Sequence, residues 1–577
     1  MTRLRALRVG HRLGQFSIPV IVLAYAGLSS ICFGQGEQAP AEEVVTRIRD
    51  EVINMLSETS IPGAAIAVVD DKNIIWDKVY GNVYGADSRP VDVNTIFSIQ
   101  SMSKGFTALA VLIAVQDGLV DLDTPIKEYL PDFTVNSIYD ENPEEVITLR
   151  HLLSHRAGFT HEAPFGSNFD DRNDFLKHIE SISSTWLRYP VGYRYSYSNL
   201  GIDLAGYILQ VRSGKKFELY VKEKVFNPLG MNSSSLDMGV IKQRENRAIG
   251  HGRNTDSIPI HIPMIPAGGV YTNVRDMTRY AQFHINKGVV DGRRILRADL
   301  MKQMHTIQFA RDNQRFGYCM GLIREPVSDS YGIYHAGAGY GFASIMLMFP
   351  EKNIGIVLLT NSEEESMIWS LRSLVKESIS ERFGTTPVEE PGTELMIQLD
   401  PEDQRVQAIM GRYGDEQGYA IGYEDDVLGL RRIGQNQFYP LTFYDDGGEL
   451  VGIYGNFSEI RFLPPYNGRR GSLTAVDRRL SNAYFDVRDF NDSPTDPPGP
   501  DEPHWSEYLG NYELLKNGDP IGTFSVSIRN GYLYAGECKC VEHEPGLFFA
   551  YDGEAIDFRS DPQTAMNIRI RMCEEPK

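Results

Sequence analysis

The spacing of apolar residues changes along this chain, and it predicts helices and strands in a definite order. Residues 97–118, FSIQSMSKGFTALAVLIAVQDG, pass from an extended segment into a helix that is apolar nearly all round, which predicts burial in a core. Residues 64–81, AAIAVVDDKNIIWDKVYG, predict two strands, because β-branched residues flank a turn at Asp70 to Asn73. The runs ASIMLMFP and NIGIVLLTN predict two further buried strands. With an amphipathic helix at 41–58, they indicate an antiparallel sheet built from both ends of one domain.

Near residue 410 the helical spacing fades and short alternating segments replace it. Residues 409–465 and 507–572 alternate apolar and polar positions between turn residues, as antiparallel strands do. The dipeptide Asn530-Gly531 lies between two alternating runs, which is a strong hairpin signal. The two segments also begin alike, with M-G-R-Y and L-G-N-Y. This weak internal duplication predicts two small antiparallel barrels or sandwiches.

The N-terminus has the pattern of a secretory signal peptide. Four arginines (Arg3, Arg5, Arg8 and Arg12) precede the apolar run FSIPVIVLAYAGLSSICF, and the small residues Gly34 and Gly36 follow it. We therefore expect residues 1–36 to be removed and the protein to be exported, to the periplasm or the medium of a bacterium. The alternative is an uncleaved anchor, since a run of about eighteen residues is near the lower limit for spanning a bilayer. In that case the signal segment would be the protein's contact with the membrane.

The charge and the cysteines exclude several classes of function. The net charge is −20, and removal of four arginines with the signal would take it to −24. A protein this acidic is not expected to bind nucleic acid through phosphate-neutralising residues. One disulfide among Cys538, Cys540 and Cys573 is permitted in an exported protein, whereas C-x-C alone is not a zinc site. No metal and no cofactor are expected.

Candidate chemistry begins with Ser101 and Lys104 at the start of the apolar helix. Residues three apart lie on one helix face, so the Lys104 amine can sit beneath the Ser101 hydroxyl. A lysine inside an apolar helix costs desolvation free energy unless a partner lies near or the proton is lost. The pair therefore predicts a nucleophile and its base. The alternative is a chance S-x-x-K, which is a short and common motif.

Two further motifs follow in a characteristic order. Tyr197-Ser198-Asn199 begins another apolar-periodic helix, and His335-Ala336-Gly337 precedes the two apolar strands. The order SxxK, YxN, HxG resembles the serine β-lactamase and penicillin-binding-protein superfamily, and the phrases GLVDLDTPIKEYLPDF, ITLRHLLSHRAGF and PAGGVYTNVRDMTRYAQF are similar to it as well. The resemblance covers roughly residues 45–385. It implies an α+β fold, with an antiparallel sheet flanked by helices and a mostly helical lobe.

The C-terminal architecture is similar to that of the bacterial D-aminopeptidases of this superfamily, which carry two lipocalin-like β-barrels. The expected organisation is a signal at 1–36, a serine hydrolase domain at 37–385, a linker at 386–408, a β-barrel at 409–488, an acidic proline-rich linker at 489–503 and a second β-barrel at 504–577.

The resemblance implies a role for each motif residue. Ser101 would be the nucleophile of an acyl-enzyme, and Lys104 and Tyr197 would share the roles of general base and acid. Asn199 would orient Lys104 or bind a substrate amide. The backbone N–H groups of Ser101 and Ala338 would form the oxyanion hole.

His335 departs from the lysine that many β-lactamases carry at this position. A histidine is largely neutral near pH 7, so it offers no permanent charge to a substrate carboxylate. This weakens the case for efficient penicillin hydrolysis and favours ester or peptide substrates. Gly337 would let the substrate lie along the strand edge.

The expected partner is therefore a small peptide, amide or ester, cleaved as a D-peptide, a carboxylic ester or a β-lactam. A sensor that is acylated without turning over is the alternative from another class, and the barrels are alternatively envelope- or carbohydrate-binding modules. His151, His155 and His161 are interpreted as capping or packing residues, since no metal-ligand spacing surrounds them. The sequence contains no G-x-S-x-G, which excludes an α/β-hydrolase elbow.

Overall fold

The structure is a computed structural model that describes residues 39–572 with gaps. The gaps are residue 86 and the segments 167–173, 253–262, 311–314, 385–395, 414–418, 433–437, 447–448, 455–457, 463–471, 478–486, 493–498, 517–518, 537, 551–552 and 560–568. The predicted signal at 1–36 lies outside the described residues.

The larger domain is built on a seven-stranded antiparallel sheet. Its strands are β1 (Gly63–Val69), β2 (Ile74–Gly81), β7 (Gly317–Tyr318), β8 (Ile323–Val327), β9 (Ser330–Gly339), β10 (Phe342–Phe349) and β11 (Ile354–Thr360), in the order β2-β1-β11-β10-β9-β8-β7. Two-stranded pairs are formed by β3 (Phe97–Ser98) with β4 (Tyr271–Thr272) and by β5 (Val289–Val290) with β6 (Arg293–Arg294). The sheet thus joins both ends of the domain, as the apolar runs predict.

Helices cover both faces of this sheet. They are α1 (Ala39–Glu58), α2 (Ser103–Gln116), α3 (Leu149–Leu153), α4 (Phe175–Ile182), α5 (Asn199–Ser213), α6 (Phe217–Val221), α7 (Asn227–Leu229), α8 (Met238–Lys242), α9 (Ile265–Gly268), α10 (Val274–Ile285), α11 (Ala298–Met304) and α12 (Ser366–Phe383). Helices α1 and α12 pack on one face, while α10 packs on the other and leads into the helical lobe around α2 and α5.

The strand β1 shows why its sequence is apolar at every position. Ala65, Ala67 and Val69 join the core shared with the helical lobe, while Ile66 and Val68 join the core shared with α1 and α12. Alternate residues of a strand point to opposite faces, so a strand covered on both faces must be apolar throughout.

Two further antiparallel sheets make up the C-terminal region, which confirms the predicted fold class. The first has ten strands, in the order β12 (Ile397–Gln398), β17 (Thr442–Asp446), β18 (Glu449–Tyr454), β19 (Ser458–Phe462), β20 (Ser472–Asp477), β21 (Val487–Asp492), β13 (Gly411–Tyr413), β14 (Tyr419–Glu424), β15 (Val427–Arg432) and β16 (Phe438–Pro440). The second has seven, in the order β27 (Ala555–Asp557), β26 (Leu547–Ala550), β25 (Cys538–Glu544), β24 (Tyr532–Ala535), β23 (Asp519–Arg529), β22 (Gly510–Lys516) and β28 (Arg569–Met572).

The hairpin predicted at Asn530-Gly531 is confirmed. These two residues join β23 to β24, with Arg529 paired to Tyr532, and their φ angles are 48° and 74°. Two successive positive φ angles match the right-handed twist of the strands, which is why Asn-Gly is favoured there.

The predicted linkers are more structured than their composition indicates. Within 386–408, β12 pairs with β17, and the helix α13 (Gln404–Ala408) buries Val406 in the core of the ten-stranded sheet. Within 489–503, the first residues belong to β21. The described part of the first linker therefore packs with the β-domain that follows it.

The C-terminal region contacts the larger domain directly. The Trp186 and Phe549 ring centroids lie 5.7 Å apart, and Arg188 Nε lies 3.0 Å from Glu554 Oε1. None of the helices among the described residues is long and apolar enough to cross a membrane. Cys573, one of the three cysteines among which a disulfide is permitted, lies outside the described residues.

Candidate active site

Ser101 lies at a sharp bend that leads into the buried helix. It occupies a 3-10 turn, Gln100–Met102, and α2 continues from this turn at Ser103. The preceding Gln100 has a φ of 47°, an unusual conformation for a residue with a Cβ, and its side chain donates to Ser98 Oγ over 2.8 Å. Such local strain clusters at functional sites. The bend leaves Ser101 half-buried while its neighbours are in the core.

Lys104 is wholly buried beneath that serine. Its Nζ donates to Ser101 Oγ over 2.9 Å and to the carbonyl oxygen of Ala267 over 3.0 Å. Two acceptors offset part of the desolvation cost of the amine. Among the described residues no carboxylate forms an ion pair with Lys104. The spacing inferred from S-x-x-K thus places the amine within hydrogen-bond distance of the hydroxyl.

A buried Asp–His pair supports the acceptor of Lys104. Asp203 Oδ1 accepts the Ala267 N–H over 2.8 Å, and its Oδ2 lies 2.9 Å from His178 Nε2. Burial raises the pKa of Asp203 against the opposing effect of His178. Burial lowers the pKa of His178, but the hydrogen bond and charge of Asp203 outweigh it, and the net direction is upward. Sequence reasoning missed this pair, although a lone aspartate between Ile202 and Leu204 was a signal that a buried partner exists.

Tyr197 stands immediately before α5 and beside the amine. Lys104 Nζ lies 4.9 Å from its ring centroid, and the His161 ring stacks on it at 5.6 Å. Ser198, the residue after Tyr197, caps α5 by accepting the Gly201 N–H, and the helix begins at Asn199. Within the described part of the chain, the Tyr197 hydroxyl makes no hydrogen bond to Ser101 or Lys104. The phenol is therefore next to the pair without being bonded to it.

Asn199 is the first residue of α5 and is buried. Its backbone N–H donates to the His161 carbonyl over 3.1 Å. Among the described residues its side chain does not hydrogen-bond Lys104, so this structure does not show the orienting contact expected from the motif. The substrate-amide role remains a prediction.

His335 lies on β9 with both ring nitrogens engaged. Its Nδ1 lies 2.5 Å from the Ala336 carbonyl oxygen, and its Nε2 lies 2.9 Å from the hydroxyl of Tyr318. Because a carbonyl only accepts, Nδ1 carries the proton and Nε2 accepts from Tyr318. Burial, with the nearby charge of Lys104, lowers the pKa of His335 to about 3. The ring is thus neutral at pH 7. Tyr318 was missed from sequence, because it lies in no motif.

Gly337 brings β9 against the turn that carries the serine. A Cβ at this position would stand 2.1 Å from the Ile99 carbonyl oxygen and 2.9 Å from the Ser101 nitrogen. Ser344, opposite Gly337 on β10, donates to the same Ile99 carbonyl over 3.0 Å. Only glycine fits here. Ala338 is the next residue along this strand, paired with Ala343, and its oxyanion role remains a prediction.

The fold and the arrangement of these residues define a class. A buried lysine bonded to a serine at a helix start, with a tyrosine and a strand beside them, lies between a helical lobe and an antiparallel sheet, as in the serine β-lactamases. The Beta-lactamase family model matches residues 44–372, which is more than half of the chain. The chain belongs to this family.

Curated relatives agree with that assignment. Beta-lactamase-like protein 2 of Dictyostelium discoideum is 32% identical over 432 residues, covering 69% of this chain and 76% of that protein. Protein flp of Staphylococcus aureus strain MRSA252 is 26% identical over 317 residues, covering 54% of this chain and 61% of that protein.

Solved structures share the fold. SurE with D-Leu has a TM-score of 0.54 at 20% identity, covering 78% of this chain and 99% of its own. The octameric penicillin-binding protein homologue from Pyrococcus abyssi has a TM-score of 0.50 at 22% identity, covering 77% and 99%. A class C beta-lactamase has a TM-score of 0.50 at 21% identity, covering 59% and 96%. At these identities the likeness shows the fold alone.

Proposed function

We propose that the protein is a serine hydrolase that cleaves amide or ester bonds through an acyl-enzyme on Ser101. The observation that carries the proposal is that the buried Lys104 Nζ lies 2.9 Å from Ser101 Oγ, where an unprotonated amine can accept the hydroxyl proton. A serine hydroxyl is a weak nucleophile until a base takes its proton, and a base at this distance can do so. Membership of the Beta-lactamase family supports the same chemistry.

The reaction proceeds in two transfers. Ser101 Oγ attacks the carbonyl carbon, its proton passes to Lys104 or Tyr197, and the N–H groups of Ser101 and Ala338 hold the oxyanion. As the bond to the leaving group breaks, the same base returns the proton to the leaving nitrogen or oxygen. Water then attacks the acyl carbon as the base takes its proton, the bond to Ser101 Oγ breaks, and the base returns the proton to Oγ as the acid leaves. General acid–base help of this kind is typically worth about 10²–10⁴ in rate.

The substrate is proposed to be a small D-amino-acid peptide or amide, or a small ester. A neutral His335 supports this, because a substrate that needs a fixed cation would find none at that position. SurE, whose fold this chain shares, was crystallised with D-Leu, which is a reason to include a D-amino-acid substrate in the test. β-Lactam hydrolysis uses the same first step and remains the alternative.

A substrate panel tests the proposal. Wild type and Ser101→Ala are compared on p-nitrophenyl acetate, D-alanyl-p-nitroanilide and nitrocefin. The proposal is supported if the wild type turns over a substrate and Ser101→Ala does not. The substrate that the wild type prefers then decides among ester, D-amino-acid amide and β-lactam hydrolysis. A single stoichiometric burst followed by no turnover would identify an acylated sensor instead.

We also propose export, on the signal pattern at residues 1–36. Expression in a bacterium, followed by fractionation and N-terminal sequencing, tests this. A mature chain that begins near residue 37 in the periplasm or medium supports export, and an intact N-terminus in the cytoplasm would contradict it.

A further inference from the structure

His155 has an unusual backbone at the end of α3. Its φ is 57°, in the left-handed region that residues with a Cβ seldom adopt, and its side chain is fully enclosed. A non-glycine in this conformation costs free energy, so the surrounding contacts must hold it there. The sequence indicates a capping or packing role for His155, and the proposed reaction gives it none.

The imidazole of His155 packs against Tyr195, Tyr197 and Tyr318, but two of the hydrogen bonds that His155 accepts flank Tyr197. The Ser196 N–H donates to the His155 carbonyl over 2.8 Å, and the Ser198 N–H donates to His155 Nδ1 over 3.1 Å. The imidazole also packs against the Tyr197 ring, with centroids 4.4 Å apart. The amides on both sides of Tyr197 are thus bonded to a single histidine. The positive φ allows its carbonyl and its ring to face the same segment.

The ring acts here as a hydrogen-bond acceptor. Because Nδ1 accepts a backbone N–H, the proton of the neutral ring lies on Nε2. Among the described residues, Nε2 is buried with no hydrogen-bond partner. Leaving such a donor unpaired is unfavourable, so the contacts made by Nδ1, the ring and the carbonyl must offset its cost. Burial, followed by the charge of Lys104, holds the pKa of His155 well below its usual value, which keeps Nδ1 free to accept.

We propose that His155 is a positioning residue: it fixes the segment Ser196–Ser198 so that the phenol of Tyr197 stays beside Lys104. The inference rests on the proposed function, since it concerns the base of that reaction. The reaction rate falls steeply when a reacting group is displaced, and a shift of about 1 Å can lower that rate about 10²-fold. His155 acts through Tyr197 and does not itself touch the reacting atoms.

The test compares two substitutions at this position. His155→Asn keeps an amide oxygen near the place of Nδ1, and asparagine tolerates a positive φ. His155→Leu keeps bulk without an acceptor. The matched control is His151→Leu, because His151 Nδ1 also accepts a backbone N–H, from Thr148 over 3.2 Å, but its ring packs on Phe309. For each variant kcat, KM and the unfolding midpoint are measured on the wild type's preferred substrate.

For His155→Leu we expect kcat to fall about 10²-fold with KM little changed, and His155→Asn should restore most of kcat. His151→Leu should lower the unfolding midpoint and leave kcat intact. If His155→Leu does not fold, His155→Gly, which removes the acceptor and the strain together, takes its place. The inference would be overturned if His155→Leu, or His155→Gly in its place, had the kcat of the wild type. It would also be overturned if kcat of His155→Asn were as low as that of His155→Leu. A failure of the proposed function gives a different result, because the Ser101→Ala variant would then retain activity.

Discussion

Glu554 of the second C-terminal sheet region forms an ion pair with Arg188 of the larger domain, with Oε1 and Nε 3.0 Å apart. The same carboxylate accepts the Thr160 hydroxyl over 2.9 Å, and the Thr160 carbonyl accepts the Ser198 hydroxyl over 2.6 Å. Ser198 directly follows Tyr197. Two hydrogen bonds therefore connect the C-terminal region with the residue beside the proposed base.

We predict that Glu554→Ala lowers kcat. The Arg188 and Glu554 side chains are only 19% and 21% exposed, so removal of the carboxylate should also lower the unfolding midpoint. The loss of the Thr160 contact should loosen the cap of α5 and lower kcat. The matched control is Glu544→Ala, which removes a carboxylate paired with Arg559 inside the same C-terminal region. Equal kcat in the two variants and wild type would show that this contact does not affect the site.

Gly337→Ala should disable the site sterically. The new methyl group would stand 2.1 Å from the Ile99 carbonyl oxygen, so β9 must move away from the Ser101 turn. Overpacking of this kind typically costs about 1–3 kcal/mol, and we expect kcat to fall with it. Gly422→Ala in β14 is the control, because no atom lies within 4 Å of its added Cβ. Kinetics and thermal unfolding of both variants check this, and an active Gly337→Ala variant would contradict the packing described here.

Acid should destabilise the protein partly through His335. Its pKa falls from the usual 6.5 to about 3 on folding, so the unfolded chain binds the proton more readily. Above about pH 6.5 this group has no effect, and stability is lost as the pH falls from about 6.5 towards 3, by about 1.4 kcal/mol per pH unit. Urea unfolding of wild type and His335→Asn across that range gives the slope of the free energy of unfolding against pH for each protein. Equal slopes in the two proteins would mean that His335 is already protonated in the native state.

Asp203 should tolerate an isosteric change better than truncation. Asp203→Ala removes the partner of His178 Nε2 and of the Ala267 N–H in the core, and breaking a buried pair typically costs about 3–5 kcal/mol. Asp203→Asn keeps an oxygen for the Ala267 N–H and an amide for His178, so its loss should be smaller. Denaturant unfolding distinguishes them. If both variants lose the same free energy, the carboxylate charge and not the hydrogen bonds supports Ala267.

The local features of the site follow from sequence, while the long-range ones do not. The three-residue spacing of Ser101 and Lys104 is sufficient to predict their contact, and the apolar helix around them predicts the burial of the amine. The Asn530-Gly531 turn is likewise determined by two adjacent residues.

The support behind the motifs could not be read this way. His178 and Asp203 lie on different helices, and His155 reaches Ser196 and Ser198 across a loop. Such contacts depend on how helices and loops pack together, which residue spacing along the chain does not predict. The composition of residues 396–408 is misleading in a different way, because it is polar like that of a linker although Val406 is buried.

Covalent labelling shows whether the Ser101 hydroxyl is the nucleophile, on which the proposed function depends. The protein is incubated with a fluorophosphonate, digested and analysed by mass spectrometry, with Ser101→Ala and Ser103→Ala in parallel. Ser103 is the matched control, since its Oγ accepts the Val270 N–H over 3.0 Å, whereas the hydroxyl that Lys104 Nζ bonds is that of Ser101. We expect one adduct, on Ser101, which is retained in Ser103→Ala and lost in Ser101→Ala. An adduct at another residue, or none in an otherwise folded protein, would contradict it.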